Sequence, residues 1–265
     1  MAVLLLLASW APPRLRAQEK PVDLELVLAV DVSLSMDLDE QRLQREGYVQ
    51  AFRDPEVIKS IAAGPSGRIA VTYVEWAGPA NQLVVLPWMI IDGAAAAQEF
   101  SRRLEQAGIS RARMTSISSA LEFSGGLFAE SGVRGLRRVI DVSGDGPNNA
   151  GAPVLPIRDA LVAKGVVING LPIVLKRPTS YFDLENLDKY YQDCVIGGTG
   201  SFVIPIREPG EFRSATRRKL LLEIAGLAPP PEPRLIRVQA GRGDGEAPID
   251  CLAGERRWNR FMREP

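Results

Sequence analysis

The chain has 265 residues, 46% hydrophobic and 24% charged, with Lys+Arg 32 balanced by Asp+Glu 32. That is the profile of a globular chain able to bury one sizeable core, and it offers no basic stripe for nucleic acid. With no histidine and only two cysteines, it excludes Ser-His-Asp and Cys-His catalysis and soft-ligand metal cages, so any metal here is a hard cation held by oxygen.

The first stretch, MAVLLLLASWAPPRLRAQEK, has an apolar core from Ala2 to Trp10. Roughly 20 residues are needed to span a bilayer, so this core is too short to be an anchor. It has the length of a secretory h-region, with cleavage expected near Ala17 or Gln18. Residues 1–18 are therefore expected to be a signal peptide and the mature chain periplasmic or secreted, although Arg14 and Arg16 follow the apolar core rather than precede it. No later segment reads as a transmembrane anchor.

LELVLAV (24–30) reads as a buried strand, and DEQRLQREGYVQAFRDPEVIKSIA (39–62) as a helix with Leu43, Tyr48, Ala51 and Phe52 on its apolar stripe. GRIAVTYVEWAG (67–78) and NQLVVLPWMII (81–91) form a hairpin signal across a short turn. DGAAAAQEFSRRLEQAG (92–108) is helical, with Asp92 as expected N-cap and Gly108 just past its end. A polar loop, ISRARMT (109–115), leads into the helix SISSALEFSGGLFAES (116–131).

LRRVIDVS (136–143) is the next strand, followed by the loop GDGPNNAG (144–151) and the helix PIRDALVAKG (156–165). VVINGLPIVL (166–175) is a strand, DLENLDKYYQDC (183–194) a helix, SFVIPI (201–206) a strand, and EFRSATRRKLLLEIAG (211–226) the closing helix. Strands alternating with helices across short loops predict an α/β fold: a Rossmann-like, doubly wound, mostly parallel sheet with one antiparallel edge strand and helices on both faces. Residues 19–226 are expected to form this domain, and the Pro/Gly-rich stretch 227–265 a C-terminal tail ending in an amphipathic turn or two. Arg242-Gly243-Asp244 within it is a common tripeptide in such a composition. Cys194 and Cys251, if paired, would pin that tail to the domain; two free thiols are the alternative in a reducing compartment.

In open α/β sheets, ligands bind outside the carboxyl ends of the strands. Asp31 ends the first strand there, and Ser33 and Ser35 follow at alternate positions, which point the same way in an extended segment. Asp145 lies just past the strand at 136–143, between Gly144 and Gly146, with Asp141 inside that strand as an alternative. Thr115 stands at a loop-to-helix junction. If these strands are neighbours, Asp31, Ser33, Ser35, Thr115 and Asp145 converge, all presenting oxygen. Hydroxyls, water and two carboxylates suit Mg²⁺, with Mn²⁺ or Ca²⁺ as substitutes. Taken singly, Ser35, Asp37, Thr115 and Ser116 read as helix caps and Asp145-Gly146 as a turn.

VLAVDVSLS, MTSIS and VSGDG together resemble the metal-ion-dependent adhesion site (MIDAS) of von Willebrand factor type A domains, over roughly 23–226. YVEWAG, DVSGDGPNN and YYQDCVIGG are similar to an exported bacterial group catalogued as domain of unknown function 1194. The resemblance implies Mg²⁺ at the upper edge of the sheet, with Ser33, Ser35 and Thr115 as direct or near-direct ligands and Asp31 and Asp145 acting largely through water. It also implies a partner protein whose Asp or Glu carboxylate completes the coordination. SGDG departs from the commoner Ser-Asp-Gly by one added glycine, which bears on the placement of Asp145.

The expected function is thus a cation-dependent, adhesion-type protein-binding module without catalysis, with Arg113, Asn148 and Asn149 as candidate rim residues. The alternatives are a metal-dependent phosphohydrolase using Asp31, or a purely structural metal. The former needs a second carboxylate two residues on, where Ser33 stands.

Overall fold

A computed structural model of the protein describes residues 20–175, 183–227 and 249–263. The expected leader and the Arg242-Gly243-Asp244 tripeptide lie outside these residues. The chain opens with β1 (Lys20–Val22) and β2 (Leu24–Asp31), followed by α1 (Leu38–Arg53) and α2 (Pro55–Ala62). Then come β3 (Ile69–Trp76), β4 (Gln82–Ile91), α3 (Ala94–Gln106) and α4 (Ile117–Leu127). The second half holds β5 (Val133–Gly135), β6 (Arg138–Gly144), α5 (Val154–Ala163), β7 (Val166–Pro172) and a short α6 (Leu187–Tyr190). It closes with α7 (Phe212–Ala225) and α8 (Ala253–Arg263).

Five strands form the main sheet in the order β4-β3-β2-β6-β7. All pairs are parallel except β3–β4, so β4 is the antiparallel edge strand expected from the hairpin signal. Every residue of β2 is buried, as the middle strand of a sheet covered on both faces must be. Leu24, Leu26, Leu28 and Val30 pack with α1, α2, α3 and α7, whereas Val27 and Ala29 pack with α4 and α5. By this alternation Asp31 continues the Val27–Ala29 row, on the α4 side.

The structure corrects the sequence reading at several elements. The helix expected over 39–62 is two helices, because the residue before a proline disfavours helical backbone. Asp54 ends α1 with extended backbone, and its carboxylate then caps α2, accepting from the N–H groups of Glu56 and Val57. Asp92 does not cap α3; Gly93 occupies that position without a side-chain bond. The helix expected over 183–194 is a single α-turn followed by a π-helical turn, Tyr191–Val195.

The strand expected over 201–206 runs beside β7 but makes only isolated bridges. Gly170 bonds to Phe202 and Ile204, and Ile206 N–H reaches Pro172 O. Pro172 itself has no N–H to return, so the ladder is interrupted there. Proline also marks the opposite edge: Pro87 lies in β4 where the β3–β4 register shifts between Val71 and Tyr73. Two three-residue strands were not expected at all, β1 and β5, which pair in parallel as a small separate sheet.

Cys194 and Cys251 are joined by a disulfide, with Cα atoms 5.5 Å apart and a sequence separation of 57. In the chain-entropy model a loop of that size stabilises the folded state by about 4 kcal/mol. Reduction is therefore expected to lower the urea midpoint of the full chain substantially; an unchanged midpoint would contradict this. The amphipathic end of the tail is a three-turn helix, α8, longer than the turn or two expected.

Candidate metal centre at the ends of β2 and β6

β2 and β6 are adjacent, so their carboxyl ends deliver Asp31 and Asp145 to the same edge of the sheet. Asp31 is fully buried, and its Oδ1 accepts the Ser33 N–H at 2.7 Å. From there a chain of oxygens runs outward: Ser33 Oγ lies 2.8 Å from Ser35 Oγ, which donates to Asp145 Oδ1 at 2.6 Å. Ser33 is buried and Ser35 exposed, so this row of oxygens passes from the interior to solvent.

The other Asp31 oxygen, Oδ2, is buried without a hydrogen-bond partner, as is the hydroxyl of Tyr191. Both crowd Gly144: a Cβ there would lie 2.7 Å from Asp31 Oδ2 and 2.9 Å from the Tyr191 hydroxyl. The glycine that departs from the Ser-Asp-Gly pattern therefore has a packing role, since no side chain fits between β6 and the buried acid. Burial pushes the Asp31 carboxyl well above the usual carboxylate range, and the nearby Asp145 charge pushes it further. The Ser33 N–H and hydroxyl and the more distant Asp145 N–H, which makes no hydrogen bond of normal geometry to Oδ2, act in the opposite direction but do not prevail. A buried oxygen with no hydrogen bond of normal geometry, beside a second carboxylate, lacks positive charge.

Thr115 comes to the same place from the α4 side. Asn149 holds it from both directions, its Oδ1 accepting the Thr115 N–H at 2.9 Å and its own N–H donating to Thr115 O at 2.8 Å. Thr115 Oγ1 faces Gly146, where a Cβ would stand 3.8 Å away. The preceding Met114 has φ 70°, a left-handed conformation rare for a residue with a side chain. Ser116, not Thr115, caps α4, accepting from Ser119 N–H.

The competing readings of neighbouring acids resolve differently. Asp37 and Glu40 form a capping box at the start of α1, each carboxylate accepting from the other's backbone N–H. Asp141 belongs to the opposite face of the sheet, where Lys219 Nζ meets it at 2.6 Å. Asn148, expected on the rim, is instead completely buried, whereas Arg113 is exposed. Among the described residues no three His, Cys, Asp or Glu side chains gather as a metal cluster. The five-residue set has two carboxylates and three hydroxyls, a donor chemistry that fits a hard cation retaining water.

A family model described as "Protein of unknown function (DUF1194)" matches residues 21–228. The fold is similar to that of proximal thread matrix protein 1 from the mussel byssus with a zinc-occupied MIDAS motif: TM-score 0.57 and 16% identity, over 79% of this chain and 49% of that one. It is likewise similar to the pilus adhesin SpaC from Lactobacillus rhamnosus GG in its open conformation: TM-score 0.56 and 11% identity, over 78% of this chain and 30% of that one. A von Willebrand factor type A structure from Catenulispora acidiphila matches with TM-score 0.49 and 14% identity, over 78% of this chain and 43% of that one. The chain thus spans half or less of the length of these proteins, and at such identities the likeness is one of fold. No curated protein matches the chain.

Proposed function

Since the chain belongs to the family described as Protein of unknown function (DUF1194) and shares its fold with a matrix protein solved with a zinc-occupied MIDAS motif, we propose that it is a divalent-cation-dependent, adhesion-type protein-binding module. The observation that carries this reading is Asp31 Oδ2, buried and unpartnered beside the Ser33–Ser35–Asp145 row. A cation there, Mg²⁺ or in its place Mn²⁺ or Ca²⁺, would supply the missing charge and a Lewis-acid contact for a carboxylate from outside. Ser33, Ser35 and Thr115 would offer hydroxyls, while Asp31 and Asp145 would anchor the ion largely through water.

The partner in this reading is a protein presenting an Asp or Glu side chain. Leu34 and Met114, next to Ser35 and Thr115 in sequence, are exposed large apolar side chains. They suit a partner carboxylate with apolar neighbours, and the exposed Arg113 suits an acidic surround.

Nothing in the arrangement favours hydrolysis. Ser33 stands where an Asp-based phosphohydrolase needs its acid/base, and Asp37 and Glu40 are committed to the α1 cap. A periplasmic or secreted location fits the leader-like start and the disulfide. Among the described residues no helix is long and apolar enough to cross a membrane.

Titration calorimetry of the metal-stripped chain with Mg²⁺ tests the reading. One ion is expected to bind, and saturation at about 100 times its dissociation constant to add about 2.7 kcal/mol of stability, read as a rise in melting temperature. Absence of both heat and thermal shift with Mg²⁺ and Mn²⁺ would overturn it.

A further inference from the structure

The loop that carries Asp145 is held by a part of the chain beyond the matched family region, which ends at residue 228. At its centre is Asn148, buried and bonded on every side. Its N–H donates to the Tyr190 hydroxyl at 3.2 Å, and its Oδ1 accepts the Ser118 N–H in the first turn of α4 at 3.1 Å. Its Nδ2 donates to Ala152 O at 3.1 Å and to Glu255 Oε1, on α8, at 2.8 Å.

One residue before Glu255, Gly254 is packed so closely that a Cβ there would overlap the Asn148 carbonyl oxygen. Asn148 therefore touches α8 through both its backbone and its side chain. The adjoining Asn149 makes the two bonds that fix Thr115. One short loop thus sets Asp145 relative to Thr115 and is itself seated on α8.

α8 is in turn tied down two residues before its start. Cys251 is bonded to Cys194, which is fully buried in the π-helical turn after α6. Tyr190, which accepts the Asn148 N–H, and Tyr191, whose hydroxyl crowds Gly144 beside Asp31, belong to that same segment. Arg257 adds a bond to the carbonyl of Asp183. The disulfide, α8, the Asn148 loop and the floor of the candidate site form one connected unit.

We propose that Glu255 and the Cys194–Cys251 disulfide are positioning elements of the cation site, so that its affinity depends on the oxidation state of this disulfide. The inference rests on the function proposed above for Asp31, Ser33, Ser35, Thr115 and Asp145. Reduction is a two-electron exchange with a dithiol. One of its thiolates attacks the half-buried Cys251 sulfur, and Cys194 leaves and takes a proton. The second thiolate then releases Cys251, which is protonated, and the dithiol ends as a cyclic disulfide. With the tether gone, the segment entering α8 is no longer anchored to the buried Cys194, and the seat that Gly254 and Glu255 give the Asn148 loop is loosened.

The test uses the full oxidised chain, the dithiothreitol-reduced chain, and the variants Cys251→Ser, Glu255→Ala and Glu255→Gln. Amide exchange without metal is the first readout. Residues 115–118 and 145–152 are expected to exchange at least about ten-fold faster on reduction and in Cys251→Ser and Glu255→Ala, while β2 stays protected. Glu255→Gln, which keeps an acceptor for Asn148, is expected to restore protection.

Mn²⁺ affinity is the second readout, expected to fall about ten-fold or more in the reduced chain and in Glu255→Ala but not in Glu255→Gln. Unchanged exchange in both segments overturns the proposal, as does equal Mn²⁺ affinity in the oxidised and reduced chains. If the oxidised chain binds no Mn²⁺, the functional reading falls and so does the affinity claim; the exchange data then decide separately whether the disulfide and Glu255 hold the loop.

Discussion

Replacing Asp31 by asparagine is expected to abolish cation binding while leaving the metal-free chain at least as stable as its parent. Asp31 is completely buried, Oδ1 is used by the Ser33 N–H, and Oδ2 has no partner. Without a cation the ionised carboxylate is a cost, which is why burial and Asp145 raise its proton affinity. For a carboxyl raised above its unfolded value, stability is present at low pH and is lost as pH rises through the folded value. A cation competes with protonation of this carboxyl, so affinity should increase with pH.

Asparagine removes the charge and keeps an acceptor for Ser33. Its metal-free stability should equal the parent's or exceed it by on the order of 1 kcal/mol. The parent should gain about 2.7 kcal/mol at 100 times its dissociation constant, and the variant nothing. Melting curves with and without Mg²⁺, beside calorimetry, measure both effects. A variant that binds within a few-fold of the parent would remove Asp31 from the site.

Lys219→Met is expected to cost about 3–5 kcal/mol of stability at neutral pH, in the range measured when one partner of a buried ion pair is removed. Lys219 is buried between Asp141 and Glu223, with Tyr48 donating to Asp141 at 3.2 Å and Asn169 to Glu223 at 3.0 Å. Two carboxylates share one ammonium. Burial accordingly raises Asp141 and pushes Glu223 up to about 7, Asp141 adding to the latter effect.

The sign follows from the raised carboxyl groups: the folded chain holds protons that the unfolded chain has released, so stability falls as pH rises toward and through about 7. Without the lysine this slope should steepen, and the loss should shrink toward pH 5 as both acids protonate. Glu223→Gln in the parent should flatten it. Denaturant midpoints at pH 5.5 and 8 separate these outcomes; a Lys219→Met chain with the parent's midpoint at pH 8 would show that the lysine does not compensate these acids.

The α/β order and the proximity of the first three residues of the candidate site were legible because both are local patterns. An apolar run ending in Asp31-x-Ser33-x-Ser35 needs no knowledge of the remote chain. The break at Asp54-Pro55 was legible too, since an acid before Pro and Glu is a helix-start signal, but it was overridden by the apolar stripe running on either side. The irregularity of 201–206 had a signal of its own in Pro205, which confines the run to an edge, but the second missing donor, Pro172, lies in the neighbouring strand and is seen only in the pairing. Lys219 sits in RRKLLLEIAG, a charge run that reads as a solvated helix face, and only the packing of α7 on β6 shows it buried. The Asn148–Glu255 bond spans 107 residues, and no spacing rule reaches that far.

The prolines at the two flanks of the main sheet have a consequence for the chain's life in a crowded compartment. A parallel sheet with open sides is a template on which a second copy can lay its backbone, and the danger is greatest while the chain is still folding. Pro87 deprives β4 of one donor at its shifted register, and in the 201–206 segment, whose residues 202, 204 and 206 bond to β7, Pro205 deprives the outward side of another. Neither side presents an unbroken row of backbone groups for a newcomer to copy. The same irregularities that cost this protein two tidy ladders are expected to make edge-to-edge growth into a fibril harder.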